Sequence, residues 1–303
     1  MSMCATVDDL RYTLSPRQWV EHVERRSLFP WQAAVLDDPS PFIVIDGARQ
    51  GGKSTVVVKP AAHSAKYYPG SLTVIAAATE SQAIEDMMKL KVFMGFDPEY
   101  PEIIRSSDSL ILLSNDSRII VVAATEKSAR GFSQYDQGPR LIIIDEASRI
   151  EEIVYTSAVL PMLTDNPEAT LYVISTPHGR KGFFFDSMQD PSASRYHIRA
   201  PWDVLDLEQQ LVPAEPEEAF AAKCAAKGIH GYYSPRHRRL EEQLRMLRRQ
   251  GPLMYRQENL GEFVEPLDQV FAYDEIAKML SHSDVAPLNL AAIPVAETAA
   301  MEF

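Results

Sequence analysis

Two cysteines in 303 residues exclude a disulfide framework. Cys4 and Cys224 stand far apart and match no ligand spacing, which suits a reducing compartment. The seven histidines show neither HExxH nor another metal-ligand pattern, so no zinc site is expected. No apolar run approaches the roughly 18 residues a membrane helix needs. Asp8 and Asp9 fall where a signal peptide would carry its apolar stretch. Asn115-Asp116-Ser117 has the form of a glycosylation sequon, without meaning in a chain that is not secreted. Basic residues are in deficit: 30 Lys and Arg against 42 Asp and Glu give a net charge of -12. Such a chain does not coat nucleic acid with its whole surface, although a local basic groove remains compatible. Internal repeats are absent as well.

What is present is a core: 46% of the residues are apolar, enough for one large domain or a domain with an appendage. Ser15-Pro16 has the form of an N-cap followed by Pro at N1 and predicts a helix to about Arg26. The apolar run 42–45 predicts a buried strand, and a helix is expected to start at Lys53. Strands are predicted at 72–78, 140–147 and 170–176, with helices over 80–94 and from about Glu151. The stretch 110–124 reads as a hairpin around Asn115-Asp116. Strands alternating with helices give an α/β fold with a mainly parallel sheet flanked by helices. The texture changes near Ala200. Beyond it lie a Pro- and acid-rich stretch and the pattern SPRHRRLEEQLRMLRRQG at 234–251, whose leucines recur at helical spacing. The expected organisation is a core over 1–200, a small helical lid or linker over 201–280, and a loose tail over 281–303.

The chemistry starts at DGARQGGKST. Gly47-x-x-x-x-Gly52-Lys53-Ser54 has the P-loop (Walker A) spacing, after a predicted strand and before a predicted helix. Glycines there let backbone N–H groups curl around phosphates, and the helix N-terminus adds partial positive charge. Lys53 reaches the β and γ phosphates, and Ser54 takes a Mg²⁺ position. Gln50, Gly51 and Thr55 complete the phosphate cradle. LIIIDEAS then places Asp145 at the end of a buried strand, where a metal-bound phosphate sits in an open α/β sheet, as a Walker B carboxylate. Glu146 follows and is suited to polarise the attacking water. This pair favours ATP hydrolysis over a small-molecule kinase or a Ras-type GTPase. The Gln32 amide, in FPWQ, matches the N6 and N7 edge of adenine, whereas Trp31 reads as core. Taken alone, VISTPHG at 173–179 is an ordinary strand end carrying Ser175 and Thr176.

Together, PWQ, ARQGGKS, IIIDEA and ISTPHG, in this order, resemble the ATPase domain of the large terminase subunit of tailed bacteriophages, a P-loop fold of the RecA or ASCE type. YRQENLGEFVEPLDQVF at 255–271 is similar to the segment that closes that domain, so the resemblance covers roughly 15–271. It implies Mg²⁺-dependent ATP hydrolysis that moves double-stranded DNA into a capsid. It implies a ring of subunits on a portal protein, a small terminase subunit as partner, no membrane, and work in the host cytoplasm at the procapsid. Position by position, Lys53 and Ser54 match the phosphate and Mg²⁺ ligands. Asp145 and Glu146 match the metal ligand and the catalytic glutamate, and Ser175 and Thr176 match the coupling motif. Arg49, inside the loop, is a candidate for the γ-phosphate of its own nucleotide. Arg130, in SARGFS, is a candidate finger for a neighbour's ATP. A surface ion pair is the alternative for either arginine. The resemblance further implies a C-terminal nuclease domain; the chain to Phe303 has no length for one, so DNA cutting is not expected of it.

The arginines of 234–251 are candidates for a DNA backbone track. Glu241 and Glu242 among them, at ion-pair spacing, favour a solvated helix face. Two other functions fit the P-loop. A helicase-like remodeller usually needs a second RecA-like domain, which about 100 residues hardly supply. A non-catalytic ATP-binding assembly subunit has no need of the intact Lys53, Asp145 and Glu146.

Overall fold

The structure, a computed structural model, describes residues 7–25, 28, 30–49, 52–125, 138–198, 249 and 251–264. Three helices come first: α1 (Val7–Leu14), α2 (Pro16–Glu24) and α3 (Pro30–Leu36). Then follow β1 (Phe42–Gly47), α4 (Lys53–Tyr67), β2 (Leu72–Ala77), α5 (Glu80–Met94), β3 (Ile103–Ser106), β4 (Leu110–Leu113) and β5 (Arg118–Ala123). After β6 (Leu141–Asp145) come a 3-10 turn (Ala147–Arg149), α6 (Glu152–Val154), a π turn (Tyr155–Val159) and α7 (Leu160–Asp165). Next are β7 (Thr170–Ser175), α8 (Phe183–Gln189), β8 (Ser194–Ile198) and α9 (Pro252–Leu260). All described residues belong to one compact unit that runs to Val264.

One eight-stranded sheet has the order β3-β4-β5-β2-β6-β7-β1-β8. From β5 to β8 every pairing is parallel; β3 and β4 extend it antiparallel. The expected fold class is therefore present. Its central strands are apolar on both faces because helices cover both. Ile43, Ile45, Ile143 and Ile174 face one core, shared with α4 and α5. Val44, Ile142, Ile144 and Val173 face the other, shared with the π turn and α8.

The hairpin expected around Asn115-Asp116 is β4–β5, with Asp116 at φ 66°, a conformation that Asn and Asp tolerate better than most residues. Ser15 caps α2 by accepting from Gln18 N at 3.3 Å. Elements beyond those expected are α1, α3, β3, α8 and β8. Every residue of β3 is exposed, and β8 lies at the sheet edge with a mainly polar sequence, so neither carries an apolar signature. The helix expected from Glu151 is interrupted. Pro161 has no N–H to give Ser157, and the π turn absorbs this by bonding Leu160 N to Tyr155 O. The expected helix over 234–251 and the tail fall outside the described residues, apart from Arg249, Gly251 and the start of α9 at Pro252.

Burial creates one acid-sensitive point far from the phosphate loop. His63 of α4 lies between Trp19 and Tyr67, with ring centroids 5.7 and 4.9 Å away, and its Nε2–H donates to Tyr12 O at 2.8 Å. Burial pushes its pKa down to about 4. A base whose folded pKa is depressed gives stability that is complete above the unfolded value, near 6.5, and lost as pH falls toward 4. Between pH 7.5 and 5 the wild type should lose about 2 kcal/mol more stability than His63→Gln, measured by urea denaturation of both. Equal losses would place His63 outside the acid response.

Candidate active site

Parallel pairing brings the candidate residues to one edge. Asp46 lies beside Ser175, Gly47 beside Ile198, and Asp145 beside both Ile174 and Ala77. The ends of β1, β6 and β7 thus share the C-terminal edge of the sheet, where open α/β folds bind ligands.

Gly47 is required sterically. A Cβ there would stand 2.7 Å from Ile198 Cβ and 2.8 Å from Ile198 O, because β8 runs alongside. Gly52, at φ +84°, turns the chain into α4. Lys53 opens the helix, and its buried ammonium donates to Gly47 O (2.5 Å), Ala48 O (2.7 Å) and Thr176 Oγ1 (3.0 Å). Burial pushes its pKa down, and the charges of Glu146 and Asp145 oppose this. One lysine therefore ties the phosphate loop to the strand end carrying Thr176. Gln50 and Gly51 lie outside the described residues, as do the side chains of Ser54 and Thr55; Ser54 itself stands at the first turn of α4.

Asp145 is buried and accepts from Glu146 N at 3.0 Å. Burial, then the charge of Glu146, lifts its pKa to about 6. Glu146 has φ 53°, a left-handed backbone unusual for a residue with a Cβ, of the kind that clusters at functional sites. The turn that follows carries Ser148, which the sequence reading passed over. Ser148 N donates to Ser175 Oγ (3.1 Å), and Ser148 Oγ donates to Thr176 O (2.8 Å). Ser175 is fully buried in this pairing, so its hydroxyl serves the contact between the two loops.

The sequence reading points Arg49 at the γ-phosphate. In the structure its guanidinium lies on Glu258 of α9, through an Nη2–Oε1 bond of 3.2 Å and a close Nε–Oε2 contact. Arg49 N also donates to Glu258 O at 2.7 Å. Arg149 continues the line, 3.6 Å from Glu258 and 3.8 Å from Glu146. Around them, Gln257 meets His178 at 3.2 Å and Arg180 donates to Phe263 O at 3.2 Å. The segment 251–264 therefore touches both the phosphate loop and the loop after β7. Gly261 seals this contact: it has φ +67°, and a Cβ would stand 3.0 Å from Ala48 N. Gly261→Ala should cost about 1–3 kcal/mol and weaken nucleotide binding, while Gly179→Ala, with open space around it, costs only its backbone strain. Thermal melts with and without ADP compare the two; equal effects would deny the close approach a role.

Gln32 is buried on α3, which lies against β8. Trp31 packs at the edge of the core, as expected. Also missed by the sequence reading is the buried Asp46, whose Oδ2 meets His197 Nδ1 at 2.7 Å beneath the phosphate loop. Arg130 lies outside the described residues.

A family described as "Terminase large subunit, T4likevirus-type, N-terminal" matches residues 44–278. The chain belongs to this family. No curated protein matches it in sequence. Among solved structures, the terminase chain is similar to the large terminase ATPase domain of Thermus phage P74-26, at 19% identity and TM-score 0.59, over 82% of this chain and 99% of that one. It is similar to the HK97 bacteriophage large terminase at 16% identity and TM-score 0.58, and to the large terminase of a thermophilic bacteriophage at 15% and 0.50. Each likeness covers 82% of this chain, but only 55% of the HK97 protein and 53% of the thermophilic phage's protein, so the terminase chain spans about half of those relatives. It carries the N-terminal part of a terminase large subunit.

Proposed function

We propose that this terminase domain hydrolyses Mg²⁺-ATP at the C-terminal edge of its sheet and so drives double-stranded viral DNA into a capsid. The observation that supports this most is the placement of Lys53, Asp145 and Glu146 at one edge, joined to Ser175 and Thr176 by Lys53 and Ser148. The same thermophilic phage's large terminase has been solved with ATP-gamma-S, which supports a nucleotide at the corresponding loop here.

Lys53 would leave its three oxygen partners for the β and γ phosphates, its depressed pKa reflecting how little water surrounds it. Releasing Thr176 at that moment would inform the strand end that carries the coupling motif. Gln32 would take the adenine edge. Asp145 and Ser54 would hold the metal, and the buried acid with its raised pKa fits a cation. Among the described residues no group of three or more His, Cys, Asp or Glu is arranged to hold a metal, which fits an ion that arrives with the nucleotide's phosphates and keeps its waters. Mg²⁺, when bound, neutralises phosphate charge as the bond breaks. Glu146 orients the attacking water and takes its proton.

Arg49 would exchange Glu258 for the γ-phosphate, and Arg130 would act on a neighbouring subunit in a ring. Portal protein and small terminase subunit are the partners this reading names, at the procapsid in the host cytoplasm. No described helix is long and apolar enough to cross a membrane. Lys53→Ala should lose both ATP binding and hydrolysis, read by fluorescent-ATP titration and phosphate release with and without DNA. Binding that survives the substitution at wild-type strength would overturn the assignment of this loop.

A further inference from the structure

Asp86 of α5 is a buried acid that the hydrolysis scheme leaves unused. It is 2% exposed, and a carboxylate that deep needs partners for both oxygens. Oδ1 lies 3.6 Å from Lys89 Nζ, well beyond a good charge-assisted bond. Lys89 is also shared, lying 2.8 Å from Glu85 Oε1. Oδ2 is fully buried and has no hydrogen-bond partner.

Asp145 is the neighbour that gives this oxygen a meaning. Ala77, the last residue of β2, sits beside Asp145, and α5 begins just after it with Thr79 as cap. Along β6, Leu141 and Ile143 face the layer of α4 and α5, and the period of two points Asp145 the same way. Asp145 therefore faces that layer, one strand away from the β2 end that leads into α5. Asp86 lies on the buried face of α5 with Ala83, Met87 and Leu90, which belong to that same layer.

We propose that Asp86 is the outer carboxylate of the Mg²⁺ position, its Oδ2 accepting a hydrogen bond from a water on the ion that Asp145 holds. The inference rests on the Mg²⁺-ATPase reading and deepens it. Mg²⁺ keeps several waters and takes one or two carboxylates directly, so a further acid behind the first acts through water. Such outer partners fix the inner ligand, and their loss costs roughly 10- to 100-fold in metal affinity. Asp86 is then a positioning residue, and Lys89 is its partner when the nucleotide and ion are away.

The test is a titration of a fluorescent ADP analogue with and without Mg²⁺. For Asp86→Asn, the Mg²⁺ concentration at half-saturation should rise about 10-fold or more, with metal-free affinity for the analogue unchanged. Lys89→Gln, at a partly exposed position, should fold and lower that concentration, because Asp86 then has no competing cation. Wild-type Mg²⁺ dependence in Asp86→Asn would overturn the proposal, as would equal losses with and without Mg²⁺, which belong to a structural role. If Asp86→Asn does not fold, an unshifted Lys89→Gln overturns it. A wild type that binds no analogue under either condition would sink the ATPase reading instead.

Discussion

Glu146→Gln should bind ATP with near-normal affinity and turn it over about 10²- to 10⁴-fold more slowly. The substitution keeps side-chain size and removes the charge. It leaves in place the Glu146 N–H bond to Asp145 Oδ1 at 3.0 Å and the left-handed backbone at φ 53°. The carboxylate itself is partly exposed at the mouth of the site, with Arg149 as an ion partner at 3.8 Å, so little folding energy rides on it. Affinity and turnover should therefore separate, in contrast to Lys53→Ala, whose three buried hydrogen bonds and phosphate contacts are lost together. Single-turnover phosphate release beside fluorescent-ATP binding makes the distinction. Hydrolysis within a few-fold of wild type would remove Glu146 from catalysis and turn attention to Asp145, already lifted to about 6 by burial.

How much of this site was legible in the sequence depended on where each residue gets its position. Lys53, Asp145 and Glu146 are placed by local rules, since each sits at the junction of an apolar strand with a turn or helix, and α/β folds present such junctions at one edge. The inner strands β1, β6 and β7 were equally plain, being apolar on both faces. Edge strands β3 and β8 were not, because a strand with one free side and exposed side chains needs no hydrophobic pattern. Ser148, Glu258 and Asp86 were missed for a different reason. Their meaning comes from partners 27, 209 and 59 positions away (Ser175, Arg49 and Asp145), and spacing along a chain carries no trace of such contacts. For Glu258 a signal did exist, since it lies within the stretch at 255–271 that resembles the closing segment of the family.

Arg130→Ala should fold and bind ATP yet hydrolyse it about 10³-fold more slowly or worse, the loss expected when a cation is withdrawn from the transition-state γ-phosphate. The described strands say where its segment departs. β5 ends at Ala123 beside Ala77, on the edge that also carries Asp145, and β2, β6 and β7 lie between β5 and β1. Four strand spacings amount to about 19 Å. The seven residues from Ala123 to Arg130 can span about 25 Å when fully extended, so chain length alone lets Arg130 serve either its own phosphates, beside Asp145 two strands away, or a neighbour's. On the reading of Arg130 as a finger for a neighbour, a ring brings it to the next subunit's nucleotide. Arg49, by contrast, stands within its own loop and has Glu258 as its resting partner. Wild-type turnover should accordingly rise steeply with protein concentration or on a portal. The decisive measurement mixes Arg130→Ala with Glu146→Gln, each inactive alone. Some interfaces in the mixture pair an intact Arg130 with an intact Glu146, so activity should return. If the mixture stays inactive where wild-type subunits assemble and hydrolyse ATP, Arg130 serves its own subunit or only the fold.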